Sequence, residues 1–120
     1  MDCCYLLTDG TRTYIGVTNN IQRRLDQHNG KKAGGAKYTK RSTNWHVELQ
    51  VTGFRTRGEA LQFEWAWKSS RKCGPRLHGV AGRKARLTRL LALERWTSNA
   101  PLAAEVPLTT VHTPEVGIAS

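Results

Sequence analysis

Cysteine is scarce and poorly spaced. Cys3, Cys4 and Cys73 are the three in the chain. The count is odd, adjacent cysteines rarely pair, and no C-x-x-C spacing occurs. Neither a zinc module nor a disulfide framework is supported. Reduced thiols in an intracellular protein are the expectation. No apolar run approaches the ~20 residues needed to cross a bilayer, so a membrane is not an expected partner. The start, Met-Asp-Cys-Cys-Tyr, lacks the basic region of a signal peptide. Internal repeats and low-complexity segments are absent. Acids are the other shortage: nine Asp and Glu face 19 Lys and Arg, a formal charge of +10.

A chain of 120 residues suffices for one domain with one core. Its positive excess points to a polyanion, nucleic acid first, with simple solubility as the bland alternative. The charge is uneven. Residues 21–41 hold seven basic side chains and one acid, residues 68–95 nine and one, and residues 96–120 none and two. Phosphates should therefore meet the first two segments and not the tail.

Residues 3–8 read as a strand, Asp9-Gly10 as a hairpin turn and residues 12–17 as the return strand. A two-residue loop puts Tyr5 and Tyr14 on one face and Cys4, Leu6, Ile15 and Val17 on the other. The apolar set should face a core. Gly16, beside the tyrosines, leaves room for a ring or a phosphate to approach the backbone. Thr18-Asn19-Asn20 then offers helix N-caps. The helix expected over residues 20–29 buries Ile21 and Leu25 and stops at Gly30. It sets Arg24 and His28 on one face, four residues apart. A tyrosine, a guanidinium and an imidazole delivered by one strand-to-helix turn suit a phosphodiester.

The stretch Lys31-Lys32-Ala-Gly-Gly-Ala-Lys37-Tyr38-Thr-Lys40-Arg41 combines flexible backbone, cations and a stacking ring. It is either a clamp for a nucleic-acid backbone or a solvated loop. Residues 45–54 form a third strand in which Trp45, Val47, Leu49 and Val51 alternate with polar residues, the Trp side facing the core. A second helix is expected over residues 57–70. Leu61, Trp65 and Lys68 share one side of it, and Ala60, Phe63 and Trp67 another. Glu64 lies among aromatics, with Lys68 at the four-residue spacing. It is either a shielded metal ligand or a polar edge paired with that lysine. Residues 73–82 read as a connector and residues 83–97 as a basic third helix, with Leu87, Leu90, Leu91 and Glu94 on one stripe. Pro107 and Pro114 confine any further strand to residues 108–112, at an edge. The last residues are expected to be disordered.

These residues carry a resemblance. Cys4-Tyr5-Leu6, Tyr14-Ile15-Gly16, Arg23-Arg24-Leu-Asp-Gln-His28-Asn and Phe63-Glu64-Trp65-Ala66-Trp67, in this order and spacing, resemble the motifs of the GIY-YIG nucleases. Gln-His-Asn-Gly and Ala-Leu-Gln-Phe-Glu-Trp-Ala-Trp look like the catalytic subunit of the eukaryotic endonuclease that cuts branched DNA. The likeness runs from Tyr5 to about His112. Cys4 stands where the family has glycine. The subfamily's zinc-binding RING-type domain, which recruits the scaffold subunit, has no counterpart here. Scaffold dependence is thus left open. Two origins fit: a minimal stand-alone form such as a large DNA virus carries, or a truncation.

The resemblance implies an α/β (α+β) fold, with a small central three-stranded, mostly antiparallel sheet flanked by helices. Residues 1–82 would form the nuclease core, and residues 83–120 an extra basic helix and edge segment packed on it. It also implies a metal-dependent endonuclease acting on flaps or junctions in DNA repair or recombination. Glu64 would hold one ion, Mg²⁺ or Mn²⁺; one carboxylate is too few for two metals. Arg24 would bind the scissile phosphate, and Tyr5 would act as general base or position the water. His28 would help deprotonate Tyr5 or orient the water, and Tyr14 would bound the site. Arg23, Lys31, Lys32, Lys37, Tyr38, Lys40, Arg41, Lys68, Arg71 and Lys72, with Gly16, would contact DNA. His46, His78 and His112 have no matched partners and read as structural. Localisation would be intracellular, in the nucleus or at a site of viral DNA replication. Two other readings fit the composition: a catalytically silent DNA-binding module of the same fold, and an RNA-binding interaction protein.

Overall fold

The first hairpin decides which side chains meet. The computed structural model describes residues 1–113; the tail, expected to be disordered, lies largely outside them. In it β1 (Cys3–Thr8) and β2 (Thr13–Thr18) pair antiparallel, Tyr5 opposite Gly16 and Leu6 opposite Ile15. Asp9 closes the turn. Its N–H donates to the Arg12 carbonyl at 3.3 Å, and its Oδ1 accepts the N–H groups of Thr11 and Arg12 at 2.9 and 2.6 Å. Gly10 supplies the positive φ, 97°, that such a turn favours. The register puts Tyr5 and Tyr14 on one face, as expected.

The sheet has four strands, not three, in the order β2-β1-β3-β4, and every pair is antiparallel. β3 is His46–Thr52. β4, Thr109–His112, is the segment expected at an edge, and it completes the sheet beside β3. β1 is buried along its whole length because both faces are covered. On one face Cys4, Leu6, Ile15, Leu49 and Val51 pack with Phe63, Trp67, Leu90 and Trp96. On the other, Cys3, Tyr5, Leu7 and Trp45 are covered by Ile21 and Leu25. All three cysteines are free and buried.

β3 corrects one expectation. Trp45 and Val47 do not share a face with Leu49 and Val51. Leu6 lies opposite Leu49 but Leu7 lies opposite Val47, so a bulge at Glu48 switches the face halfway along the strand. Glu48 instead turns to the later helix α3 (Gly79–Leu91), where Lys84 Nζ meets its carboxylate at 2.7 Å.

α1 (Ile21–His28) starts at Asn20, whose side chain accepts the Arg23 N–H at 3.0 Å. α2 (Arg57–Ser69) starts at Thr56, which caps Glu59 N–H at 3.2 Å. Ala60, Phe63 and Trp67 are buried, while Leu61 and Trp65 face solvent.

α3 departs further from expectation. It spans Gly79–Leu91, so it begins inside the expected connector and ends six residues early. The expected boundary after residue 82 falls within it. Gly82 marks close packing rather than a break: a Cβ there would lie 2.5 Å from the Leu77 carbonyl carbon. After α3 the chain folds back, and Trp96 packs edge-on to Phe54 and Phe63 at 5.7 and 5.2 Å. Arg86 is no surface cation. It is 2% exposed and donates to the carbonyls of Ala66, Trp67, Ser70, Gly74 and Pro75. Among these, Trp67 has a carbonyl that the end of α2 leaves without an intrahelical donor, whereas Ala66 and Ser70 also accept backbone N–H groups.

Arg86→Met removes all those donors while keeping an unbranched side chain. It should lower unfolding free energy by about 3 kcal/mol in urea denaturation. A loss below about 1 kcal/mol would show that water replaces the guanidinium.

Candidate active site

Tyr5 sits mid-strand in β1, and the strand opposite carries Gly16. A Cβ at Gly16 would lie 2.5 Å from the Tyr5 hydroxyl oxygen and 3.1 Å from the Tyr14 ring. The space beside Gly16 is therefore taken by Tyr5 itself, not left open for a phosphate. The hydroxyl meets His28 Nε2 at 2.8 Å, where α1 ends. His28 Nδ1 lies 2.8 Å from Thr39 Oγ1, which in turn donates to the Ala36 carbonyl at 2.8 Å. The Thr39 proton is thus engaged, and its oxygen must accept from Nδ1–H. That assignment leaves Nε2 with a lone pair, so Tyr5 donates to it. Asn29 locks the helix end to β3 through both edges of its amide: Oδ1 accepts Trp45 N–H at 2.7 Å and Nδ2 donates to the Trp45 carbonyl at 2.8 Å.

Tyr5 and His28 are 1% and 2% exposed. Burial raises the Tyr5 pKa well above that of a free tyrosine; Arg24 acts to lower it, and Tyr14 and Glu64 to raise it. Burial, then the Arg24 charge, pushes His28 down to about 4. Both groups rest neutral, as a dry donor–acceptor pair should.

Arg24, one turn before His28, donates to the Gly34 carbonyl at 2.7 Å and to Gln27 Oε1 at 3.0 Å. The glycines permit this loop to close on α1: a Cβ at Gly35 would collide with the Gln27 carbonyl oxygen. Tyr14 is half-buried, its ring 4.9 Å from His28 and 6.3 Å from Tyr5. It stacks on Tyr38 at 6.1 Å, and the Arg41 guanidinium lies over the Tyr38 ring at 4.9 Å. Lys68 reaches over the Tyr14 ring at 5.6 Å and bonds Glu64 Oε2 at 3.1 Å. Of the two readings of Glu64, the pairing with Lys68 is the one present, and its charge also acts to raise the Tyr5 pKa.

The expected DNA contacts divide into groups. Tyr38, Arg41 and Lys68 stand with Tyr14. Lys32 and Lys40 line a cavity of about 350 Å³ under the glycine loop, which His28 also borders. Arg23, Lys31 and Lys37 are exposed, Arg23 bonding Asn19 at 3.2 Å. Arg71 and Lys72 line a different cavity, with Trp65 and Trp96. Sequence reasoning missed Thr39, which orients His28; a threonine between Tyr38 and Lys40 gave no signal. It also passed over His78 and Arg83, which border the groove beside Tyr14. Such an arrangement can take a proton at a buried oxygen, and it presents cations around that point.

The family described as the GIY-YIG catalytic domain matches residues 1–74. The chain is 51% identical over 72 residues to structure-specific endonuclease subunit slx1 of Pyrenophora tritici-repentis, covering 57% of this chain and 20% of that protein. It is 51% identical over 70 residues to the protein of the same name from Schizosaccharomyces japonicus, covering 55% and 26%. For the Penicillium rubens protein of that name the figures are 54% over 71 residues, 55% and 18%. The match thus spans about a fifth to a quarter of the length of these curated relatives.

His28 sets a pH dependence. Its pKa is 6.5 when free and about 4 when folded, so between these values the unfolded chain binds the extra proton. Its contribution to stability is complete above about pH 6.5 and is lost as pH falls towards 4. Thermal unfolding at pH 7 and pH 4.5 should show wild type losing more stability than His28→Gln. Equal losses would mean that His28 is not held neutral.

Proposed function

The chain belongs to the GIY-YIG family, and from that premise we propose that it is an endonuclease hydrolysing phosphodiester bonds in DNA, preferentially at branches such as flaps and junctions. The observation that carries this reading is the buried Tyr5–His28–Thr39 chain beside Arg24, within reach of the Glu64 charge. The branch preference rests on the relatives' names, which call them structure-specific endonuclease subunits.

Hydrolysis needs a water stripped of a proton and relief of charge on the phosphorane-like transition state. Tyr5 Oη takes the water's proton while passing its own to His28 Nε2; Thr39 keeps Nδ1–H pointing away. The attacking oxygen bonds to phosphorus, and the departing oxygen leaves with the bonding pair. Arg24 binds the phosphate oxygens. In the free protein the Arg24 charge helps to hold His28 down. A phosphate on Arg24 neutralises that charge, so substrate raises the basicity of His28. Tyr14 and Tyr38 form the wall against which the strand lies, and Gly16 keeps Tyr5 in place.

GIY-YIG nucleases use a metal ion, and the residues here fit a single one. Among the described residues no group of three His, Cys, Asp or Glu side chains could hold a metal. One carboxylate suits a hard ion that keeps most of its water and takes substrate oxygens, Mg²⁺ or Mn²⁺. Glu64 would hold it, in place of the Lys68 ammonium now on Oε2. When bound, the ion would supply charge to the phosphate and the leaving oxygen.

The relatives are named as subunits, so a partner subunit is part of the proposal, alongside DNA. A nucleus fits a DNA-repair role. The relatives reported above are fungal and give no support to a viral setting. Among the described residues no helix is long and apolar enough to cross a membrane.

Purified protein with Mg²⁺ should nick a flap or four-way junction faster than plain duplex. Arg24→Ala and Glu64→Gln should each lower the rate by about 10³-fold, with flap binding by Glu64→Gln retained. Binding without cleavage by wild type, with or without the partner subunit, would instead favour the silent module.

A further inference from the structure

Past Tyr14 the wall runs into a second groove that the proposed chemistry does not use. Lys68, Arg76, His78 and Arg83 line it, with Thr13 at its edge, around a cavity of about 340 Å³. Among the described residues no carboxylate lines it. It shares Thr13, Lys68, His78 and Arg83 with the groove along Tyr14 and Tyr38, so the two are continuous. Three separate parts of the chain, β2, the end of α2 and the start of α3, converge there.

Arg83 is the unusual member. Its Nε donates to Thr13 Oγ1 at 3.2 Å, and among the described residues its two terminal nitrogens make no hydrogen bond. The side chain is partly buried, and the burial, then the nearby charge of Arg86 and Arg76, lowers its pKa. A crowded, half-buried guanidinium without a carboxylate partner is stabilised by an anion. α3 starts at the same place, and its N-cap, His78, provides no side-chain hydrogen bond to the first turn. Uncapped N–H groups add to the positive potential. A small-molecule site would be mainly apolar with a few polar groups. A lining dominated by cations, continuous with an aromatic wall, suits a charged polymer instead.

We propose that this groove holds a second phosphate of the DNA strand, away from the scissile one, with Arg83 as its bidentate ligand and Arg76 and His78 beside it. The proposal rests on the nuclease reading only in taking the Tyr14 wall as the path of the strand. Arg86 takes no direct part, because its donors are engaged by carbonyls.

The test is equilibrium binding of a fluorescent flap DNA in EDTA, without cleavage, across a series of salt concentrations. Arg83→Gln and Arg76→Ala should each weaken binding about tenfold. Each should also reduce the slope of log affinity against log salt by about one, as loss of one phosphate contact does. Arg57→Gln removes the same charge elsewhere, where the side chain pairs with Asp2 at 2.7 Å; it should change the slope little. In cleavage assays both groove variants should raise KM with kcat nearly unchanged. Arg76 is exposed and makes no side-chain bond among the described residues, so its variant should fold even if the Arg83 variant does not. If Arg76→Ala and folded Arg83→Gln behave like Arg57→Gln, or if wild type binds no DNA, the proposal fails. If the salt slopes change as expected but wild type never cuts, the phosphate site stands and the nuclease reading falls.

Discussion

The hydrogen bond from Tyr5 Oη to His28 Nε2 joins the central strand to the end of the first helix, and the rest of the site is arranged around it. It is 2.8 Å long and buried. A bond of that kind tolerates little error, since an unpaired hydroxyl or imidazole in a dry core is costly. The tight turn at Asp9 sets the register that places Gly16 across from Tyr5. Gly16 leaves the volume that the hydroxyl needs. Asn29 clamps the helix end to Trp45, and Thr39 fixes the ring's tautomer. Remove any one of these and the two polar atoms no longer meet on the same line.

Around this neutral pair the protein places charge. Arg24 stands one helical turn away, Glu64 and Lys68 approach from α2, and Arg41 and Tyr38 extend the wall. The dry centre keeps tyrosine and histidine uncharged at rest, and the positive rim favours an arriving phosphate. In the proposed mechanism the two effects are linked through Arg24, whose charge adds to burial in depressing the histidine until an anion covers it. The excess of basic residues is thus not one uniform coat. Arg86 works as an internal cap for α2, Lys84 ties α3 to the bulged strand, and a smaller set faces the groove.

How much of this was legible in the sequence depended on the range of the interaction concerned. Asp9-Gly10, the tyrosine parity, the Asn20 cap and the Arg24–His28 spacing are local patterns, and each appears in the fold as expected. The aromatic face of α2 was also legible, because Ala60, Phe63 and Trp67 follow helical periodicity. What was not legible came from tertiary contact. The Glu48 bulge breaks the period of two without any glycine or proline to mark it. Gly82 reads as the end of a connector and is a contact point for Leu77. Arg86 looks like a surface cation until the end of α2 is seen beside it. Thr39 has no pattern at all; it matters only because the loop after α1 folds back on His28. The fourth strand was visible as an edge segment, but its place in the sheet was not.

The central claim is that His28 rests neutral, protonated on Nδ1, with Nε2 accepting from Tyr5. Nitrogen NMR of the imidazole at pH 7 tests it most directly, with the His28 resonances assigned by substitution. The account predicts a protonated Nδ1 and an unprotonated Nε2, with a strong hydrogen-bond signature that disappears in Tyr5→Phe. A ring protonated on Nε2, or on both nitrogens, would contradict it, since Tyr5 would then have no base to receive its proton.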